Sequence, residues 1–343
     1  MDTQIITNPS DQELDMLARA LRNGELVSIP TETVYGLGAN GLDPEAMDKI
    51  YTAKGRPSDN PLILHVPNSE SIKPLVTEVS NTAQLLMDTF WPGPLTITLP
   101  KSDLVPDRAT GGLPRVALRC PDHELCRVLL ERAGVPIAAP SANISGRPSP
   151  TTAQDVYHDM KDRISYILDA GSCTIGVEST VVEVHDDKVI ILRPGGITKA
   201  QLEAVVSTVE YDTALVNATT KPKAPGMKYT HYAPDAPMTV VVGSPEDVAS
   251  TFKELSAEVE GPIGCLVSHE TYNLIKGDTR FICHCFGHHS DALSLGHDFY
   301  KSLLHFNENH VTLILAEGVD DDGFGVAIMN RMEKASSHHI IYK

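Results

Sequence analysis

The sequence predicts an α/β protein built from two domains. Its 343 residues exceed the usual size of one domain, and 41% of them are hydrophobic, as in a globular chain. Short apolar strands alternate with amphipathic helices, and from residue 238 onward this alternation becomes regular. Regular alternation is typical of an open parallel sheet with helices on both faces. We therefore expect a Rossmann-like C-terminal domain.

The N-terminal part begins with a predicted helix from Ser10 to Gly24. Ser10 and Glu13 form a capping-box pattern, and Gly24 is a C-terminal stop. A second helix begins at Asp43 and Pro44, because Asp caps helices and Pro fits their first turn. The remaining predicted strands lie at 26–29, 62–66, 95–99, 115–119, 135–139, 165–169, 179–185 and 188–193, and the remaining helices at 69–78, 81–90, 123–133, 151–160 and 198–206.

A segment without hydrophobic periodicity separates the two predicted domains. Residues 211–237 are rich in Pro, Lys and Thr, which is typical of a linker. We therefore assign 1–210 to the first domain and 238–343 to the second. The second domain carries strands at 238–242, 263–267, 280–284 and 311–316, and helices at 245–257, 270–275, 291–305 and 326–337.

The charge is unevenly distributed along the chain. The formal net charge is -17, which disfavours general binding of nucleic acid or anionic membranes. Residues 51–150 nevertheless hold ten Lys and Arg against nine Asp and Glu. This is either ordinary scatter or a local pocket for an anionic small molecule.

The cysteines and the hydropathy pattern indicate a cytoplasmic protein. Six cysteines in 343 residues do not form a disulfide framework and are typical of reduced thiols. No apolar run reaches 18 residues, and the N-terminal stretch lacks a signal-peptide pattern. We therefore expect a cytoplasmic location and no membrane contact.

The common nucleotide-binding motifs are absent from the sequence. It has neither a phosphate-binding loop ending in Lys-Ser/Thr nor a dinucleotide fingerprint. Any anion site must therefore combine side chains from several segments. Polar segments punctuated by Gly or Pro follow predicted strands or helices, where loops commonly carry function. These segments are 30–38, 54–62, 139–146 and 176–182.

Each polar residue in these segments also has an ordinary structural explanation. Lys54 and Arg56 flank a glycine and suit a polyphosphate, but basic residues also favour helix C-termini. Ser141 and Asn143 suit a phosphate or ribose, but both are also common in capped turns. Arg119 can bind a carboxylate through two parallel hydrogen bonds or form a surface ion pair. Arg193 has the same alternatives.

Histidine and cysteine residues suggest a weaker possibility of metal binding. His65 lies in an apolar strand, where a histidine is usually a core residue. The cluster of Cys283, Cys285, His288 and His289 does not match the spacing of a standard zinc site. We therefore predict no protein-bound metal.

Taken together, the motifs resemble the YrdC-like family of threonylcarbamoyl-AMP synthases, in particular its two-domain subgroup. The resemblance is strong over residues 8–210 and looser over 223–343. It rests on Thr31–Leu37, Lys54–Pro57, Asn60–Leu62, His65, Trp91–Thr96, Arg119–His123, Pro140–Asn143, Ser179–Val182, Arg193–Gly195, Pro225–Tyr229, His231–Pro234 and Gly325–Arg331.

This resemblance implies a fold and a reaction. The fold is an N-terminal twisted mixed sheet with a basic concave face, joined to the Rossmann-like domain. The reaction converts L-threonine, bicarbonate or CO2, and ATP into L-threonylcarbamoyl-AMP and pyrophosphate. Mg2+ accompanies ATP, and a tRNA threonylcarbamoyl-transfer complex consumes the product. Direct tRNA binding is not expected.

The resemblance also implies roles for individual residues. Lys54 and Arg56 are the catalytic candidates because they neutralise the triphosphate. The other predicted ATP-binding residues are Asn60, Arg115, Ser141, Asn143, Ser149, Arg193 and Tyr232. The predicted L-threonine-binding residues are Thr33, His65, Arg119, Ala139 and Ser179.

Arg115 and the linker have predicted roles of their own. Arg115 stands where the family commonly has a small hydroxyl residue, so we expect any contact with ATP to use its backbone. Linker residues Lys228, Tyr229, His231 and Tyr232 are candidates for a lid over the basic face.

Two other functions are compatible with parts of the pattern. A basic concave face would suit a non-catalytic double-stranded RNA or tRNA-binding protein, but the acidic net charge and the 5% aromatic content disfavour it. A carbamoyl-transfer enzyme of hydrogenase maturation would carry paired zinc fingers. The sequence has none.

Overall fold

The computed structural model describes residues 2–55, 60–216 and 232–343. Arg56 and most of the predicted linker, including Lys228, Tyr229 and His231, lie outside the described residues. The chain divides into two compact units. Within the described residues, the first takes in Met1–Ser145, Ser149–Thr174 and Glu178–Tyr229, and the second takes in Gly146–Pro148, Ile175–Val177 and Thr230–Lys343.

The first unit is built on a mixed sheet, which confirms the predicted class. Eleven strands of the described part lie in the order β1-β8-β2-β3-β7-β4-β6-β5-β9-β10-β11. Their bounds are β1 Gln4–Thr7, β2 Val27–Ile29, β3 Gly36–Asn40, β4 Ile63–His65, β5 Leu95–Pro100, β6 Arg115–Arg119, β7 Ile137–Ala138, β8 Tyr166–Asp169, β9 Thr180–Val184, β10 Val189–Arg193 and β11 Val209–Tyr211.

The helices of the first unit begin at the residues that the capping patterns predict. Ser10 and Glu13 form the expected capping box, and Asp43 caps the next helix ahead of Pro44. The helices are α1 Asp11–Arg22, α2 Pro44–Lys54, α3 Asn81–Phe90, α4 Asp107–Thr110, α5 Glu124–Ala133, α6 Ala153–Met160, α7 Lys199–Glu203 and α8 Thr213–Val216, with a 3-10 helix at Glu70–Leu75.

Several elements of the first unit differ from the sequence predictions, since β1, β3, β11, α4 and α8 were not predicted. Strand β1 was not predicted; it pairs in parallel with β8, a contact 162 residues away in the chain. Strand β3, which begins in the polar Gly-punctuated segment 30–38, was not predicted either, because its glycines interrupt the hydrophobic pattern. Gly38 packs there so closely on β2 that an added Cβ would lie 2.9 Å from the Val27 carbonyl oxygen. The predicted helix at 69–78 is the short 3-10 helix, which contains Pro74.

The sheet has different surroundings on its two faces. One core includes Leu64, Ile97 and Leu118 from the centre of the sheet. A second core packs α1 and α5 against β2, β7 and β8. Alternate residues of a strand point to opposite faces. In strands β4, β5, β6 and β9, the residues that alternate with these core residues therefore point to the other face of the sheet. His65 and Arg119 are two of them.

The second unit is an open sheet in which all strand pairs are parallel, as predicted. Its strand order is β14-β13-β15-β12-β16. The strands are β12 Met238–Val242, β13 Ile263–Val267, β14 Phe281–Cys285, β15 Leu313–Glu317 and β16 Ile340–Tyr342, and the helices are α9 Pro245–Ser256, α10 His269–Ile275, α11 Ala292–Glu308 and α12 Gly325–Ala335.

No helix among the described residues is long and apolar enough to cross a membrane.

Candidate active site

Arg119 is at the centre of a buried polar group in the first unit. It ends β6, where Val116 and Leu118 face the larger core and Arg119 faces the opposite side. Its Nη1 donates to Thr33 Oγ1 at 2.8 Å, and its Nε donates to the Gly93 carbonyl at 3.3 Å. These contacts restrain a planar guanidinium, the group best suited to hold a carboxylate at two points.

A carboxylate of the protein also approaches this guanidinium. Glu32 Oε1 lies 2.7 Å from Arg119 Nη2. Beyond this ion pair, neither Nη2 nor the two Glu32 carboxylate oxygens has a hydrogen-bond partner within the described part of the chain. The pair is therefore held by charge, and both groups keep hydrogen-bonding capacity in a buried place. Buried polar groups are nearly always satisfied, so an unsatisfied donor here indicates a site for a polar ligand.

His65 is the register partner of Arg119 on the neighbouring parallel strand β4. Its Nδ1 lies 3.2 Å from the Ile63 carbonyl oxygen. Burial, with a smaller contribution from the Arg119 charge, lowers the pKa of His65 to about 3. His65 is therefore neutral at physiological pH and adds a hydrogen-bonding group without adding positive charge.

Ser179 and Arg193 form a second buried group beside β5. The Ser179 hydroxyl lies 2.8 Å from Thr96 Oγ1. Arg193 Nη2 donates to the Ser179 carbonyl at 2.9 Å and to its hydroxyl at 3.2 Å. The strand register shifts between Ile191 and Arg193, as at a β-bulge, and such a shift changes the direction of the Arg193 side chain. Ser179, a predicted threonine-binding residue, is therefore in direct contact with Arg193, a predicted ATP-binding residue.

The strand register brings these two groups to the same end of the sheet. Arg119 ends β6, while the antiparallel β5 begins at Leu95 and runs beside it. Leu95 is in turn the partner of Thr180 at the start of β9. Thr96 and Ser179 therefore lie near the Arg119 end of β6.

Lys54 lies at the C-terminal end of a helix, one of the two positions that the sequence left open, and not on the loop that would place it beside Arg56. It is the last residue of α2, and Gly55 ends the helix in the left-handed conformation, with φ of 64°. Lys54 is only 2% exposed. Its Nζ donates to the carbonyl oxygens of Ser141 at 2.5 Å and Asn143 at 2.7 Å. The structure therefore brings three of the predicted ATP residues together.

Two further predicted ATP residues are buried. Ser149 donates its hydroxyl hydrogen to Glu178 at 2.7 Å. The Tyr51 hydroxyl donates to the Asn60 carbonyl oxygen at 2.9 Å. The side-chain Nδ2 of Asn60 has no hydrogen-bond partner among the described residues. Asn60 Nδ2 is thus a second buried donor with capacity for a ligand.

Arg115 lies at the opposite end of β6 from Arg119. Four residue steps separate the start of this strand from its end, and each step advances about 3.3 Å along it. The Arg115 guanidinium donates to the carbonyl oxygens of Thr98 at 2.7 Å and Val184 at 2.8 Å. The structure does not bring this side chain to the Arg119 group. Its predicted contact with ATP stays a prediction that concerns the backbone.

Ala139 and Tyr232 occupy different settings. The Ala139 amide donates to the Ile63 carbonyl at 3.0 Å, beside β4. Tyr232 belongs to the second unit, where its ring centroid lies 5.3 Å from that of Tyr300 and 6.0 Å from the guanidinium carbon of Arg331. The predicted binding roles of both residues stay predictions.

Sequence reasoning did not single out Glu32, Thr96 or Glu178. Glu32 and Glu178 lie in the polar segments at 30–38 and 176–182, so the sequence showed where they stand in the chain. It did not show which residues they contact in the fold. Arg119 and Ser149 come from distant parts of the chain. Thr96 could have been noticed as a polar residue alternating with Leu95 and Ile97.

The described residues contain no group of three or more His, Cys, Asp and Glu side chains arranged to hold a metal ion.

Two family models together match most of the chain. The Sua5_yciO_yrdC model, described as "Telomere recombination", matches residues 19–195. A model described as "Threonylcarbamoyl-AMP synthase, C-terminal domain" matches residues 197–337.

Individual relatives match over nearly the full length of both chains. The threonylcarbamoyl-AMP synthase of Bacillus subtilis is 45% identical, covering 97% of this chain and 95% of the relative. That of Pyrococcus abyssi is 43% identical, covering 96% of this chain and 95% of the relative. The crystal structure of P. abyssi Sua5 complexed with L-threonine superposes with a TM-score of 0.90 at 41% identity, covering 99% of this chain and 100% of that one. The chain belongs to the threonylcarbamoyl-AMP synthase family.

Proposed function

We propose that this chain forms L-threonylcarbamoyl-AMP and pyrophosphate from L-threonine, bicarbonate or CO2, and ATP. The observation that carries the proposal is Arg119, a buried guanidinium held by Thr33 and Gly93 whose Nη2 has no partner among the described residues besides the Glu32 carboxylate. A buried cation with spare donors suits the carboxylate of an amino acid. Family membership identifies that amino acid as L-threonine.

The remaining threonine contacts come from neutral groups around Arg119. We assign Thr33, neutral His65, the Ala139 backbone and Ser179 to the rest of the amino acid. Because His65 carries no charge at neutral pH, it does not compete with Arg119 for the carboxylate. This arrangement leaves the α-amino group of threonine free to react.

The cationic residues are assigned to ATP. Lys54, Arg56 and Arg193 offset the triphosphate charge, with polar contacts from Asn60, Ser141, Asn143 and Ser149. Tyr232 contacts the nucleotide, and Arg115 contributes its backbone. Lys54 already donates to two carbonyl oxygens, so its ammonium is held in a fixed place. Fixed charges stabilise a developing charge without reorganisation cost.

The chemistry needs positioning more than a protein nucleophile. The neutral amine of threonine attacks CO2 and loses a proton, which gives a carbamate. A carbamate oxygen then attacks the α-phosphorus of ATP, and the bond to the pyrophosphate leaving group breaks. Holding the carbamate and the α-phosphorus in contact supplies much of the rate.

Mg2+ fits this site as a companion of ATP. Mg2+ prefers carboxylate and phosphate oxygens and commonly binds through one or two carboxylates plus substrate phosphates. Glu178, which contacts the predicted ATP residue Ser149, has the donor chemistry to supply one such ligand. Mg2+ would offset charge on the leaving pyrophosphate.

The product is a reactive mixed anhydride. We propose that a tRNA threonylcarbamoyl-transfer complex consumes it and that the chain itself does not bind tRNA.

Turnover of defined substrates tests the function. We expect pyrophosphate release that depends on L-threonine, bicarbonate and ATP together, with the adduct detected by mass spectrometry. L-serine and GTP serve as substrate controls and should give slower release. Release of pyrophosphate that is independent of added L-threonine would contradict the proposal.

A further inference from the structure

We propose that Glu32 is a positioning residue for the substrate carboxylate, acting through Arg119. Its carboxylate holds the guanidinium in the orientation that receives L-threonine. This inference rests on the proposed function in one respect, the binding of the amino acid by Arg119.

The first observation is burial of two opposite charges. Glu32 is 7% exposed and Arg119 is 4% exposed. Removing a charge from water is costly unless an opposite charge lies close to it. Since Oε1 of Glu32 lies 2.7 Å from Nη2 of Arg119, each supplies the counterion that the other needs.

The second observation is that Glu32 completes a set of three contacts. Arg119 uses Nε on the Gly93 carbonyl, Nη1 on Thr33 Oγ1 and Nη2 beside Glu32. One contact falls on each nitrogen of the guanidinium. Three contacts from different directions fix the plane of the group, whereas two leave it free to tilt about the line between them.

The third observation concerns the loop that carries Glu32. Glu32 and Thr33 are consecutive, so a single loop delivers two of the three contacts. The Thr33 hydroxyl lies 2.9 Å from Thr31 Oγ1, and the Thr31 hydroxyl donates to the Val34 carbonyl at 2.6 Å. This loop is therefore braced internally, which gives Glu32 a defined position.

The fourth observation is the unused hydrogen-bonding capacity. Nη2 carries two N–H groups, and Glu32 Oε1 at 2.7 Å is its one partner among the described residues. Glu32 therefore holds Arg119 as an ion pair and leaves one N–H of Nη2 available. A substrate carboxylate can then use this donor while Glu32 stays in place.

The test compares Glu32→Gln and Glu32→Asp with the wild-type enzyme. The Gln variant keeps the shape of the side chain and removes its charge. We expect it to raise the KM for L-threonine by about tenfold or more, the value of a charged hydrogen bond. The KM for ATP and kcat should stay near their wild-type values. The Asp variant, which restores the charge, should recover most of the affinity for L-threonine.

Glu183→Gln is the matched control. Glu183 is a similarly buried carboxylate, 8% exposed, on β9. The Glu183→Gln substitution makes the same chemical change at a carboxylate that does not contact Arg119. We therefore expect the KM for L-threonine to stay unchanged in this variant.

Three results would overturn the inference. One is an unchanged KM for L-threonine in Glu32→Gln. Another is an equal effect on the KM for ATP or on kcat, which would indicate a general structural role. If Glu32→Gln does not fold, Glu32→Asp decides alone: because it keeps the charge on a shorter arm, it must raise the KM for L-threonine by less than the tenfold expected of Gln and leave that for ATP unchanged, and any other result rejects the inference. Failure of the proposed function would appear separately, as absence of threonine-dependent turnover in the wild-type protein.

Discussion

His65 and Arg119 are direct partners on the parallel strands β4 and β6, so a neutral imidazole lies beside a buried cation. Burial and the Arg119 charge lower the pKa of His65 to about 3, against an ordinary value of 6.5. The strand pairing therefore places a group that resists protonation next to the predicted carboxylate site. Its consequence is a pH dependence of stability.

Between pH 6.5 and about 3, the unfolded chain binds a proton at His65 that the folded protein does not. The free energy of unfolding therefore rises with pH through this window, by up to about 1.4 kcal/mol per pH unit, and the contribution is complete above pH 6.5. It is lost as the pH falls toward 3. We predict that His65→Gln has a flatter dependence between pH 4.5 and 7, measured by urea unfolding.

The exposed His310, replaced by Asn, is the control and should keep the wild-type dependence. If His65→Gln and the wild type lose stability in parallel on acidification, His65 does not titrate as described.

Lys54 connects helix α2 to the segment that carries Ser141 and Asn143. We predict that Lys54→Met lowers pyrophosphate release at least a hundredfold, because it removes a fixed cation from the triphosphate. The substitution also removes the hydrogen bonds from Lys54 to two carbonyl oxygens. Their loss should lower the free energy of unfolding by about 1–3 kcal/mol. Assay at a temperature well below the melting point of the variant separates the two effects.

Lys49 on the same helix provides a matched comparison. Its Nζ donates to the Gly24 carbonyl at 2.7 Å, outside the candidate site. Lys49→Met should retain wild-type turnover. Pyrophosphate release by Lys54→Met at the wild-type rate would remove Lys54 from the catalytic role.

Gly195 packs directly against the segment that carries Ser179. A Cβ at this position would collide with the backbone of Glu178, Ser179 and Thr180, so that segment must move. We predict that Gly195→Ala lowers kcat/KM for both L-threonine and ATP by tenfold or more, since displacements of about 1 Å commonly cost such factors. Steady-state kinetics with each substrate varied in turn measures the effect.

Gly277 is the control for the same substitution. An added Cβ there meets no atom within 4 Å, so Gly277→Ala should leave kinetics unchanged. Wild-type kinetics in Gly195→Ala would show that Ser179 is not held by this contact.

The sequence predicted those features that depend on local chemistry. Helix starts at Ser10 and Asp43 follow from capping, and the parallel second sheet follows from regular alternation. The predictions failed where distant contacts decide the structure. Strand β3 contains Gly36 and Gly38, and it forms because β2 and β7 pair with it on either side. Local propensity carries no information about such partners.

The same division applies to the candidate site. The family motifs predicted Lys54, Arg119 and Arg193 as site residues. They did not predict that Arg119 pairs with Glu32, which lies 87 positions away in the chain. The position of Lys54 at a helix C-terminus was one of two alternatives that the sequence left open, the other being a loop. Gly55 ends the helix and decides between them. The roles assigned to Arg56 and Tyr232 stay predictions.

Calorimetric titration of L-threonine and ATP into the Arg119→Lys variant measures whether Arg119 binds the substrate carboxylate. Lysine keeps the charge but loses the planar fork. We predict that L-threonine binds at least about tenfold more weakly to this variant, while the Kd for ATP stays that of the wild type. An unchanged Kd for L-threonine in a folded Arg119→Lys protein would contradict the account.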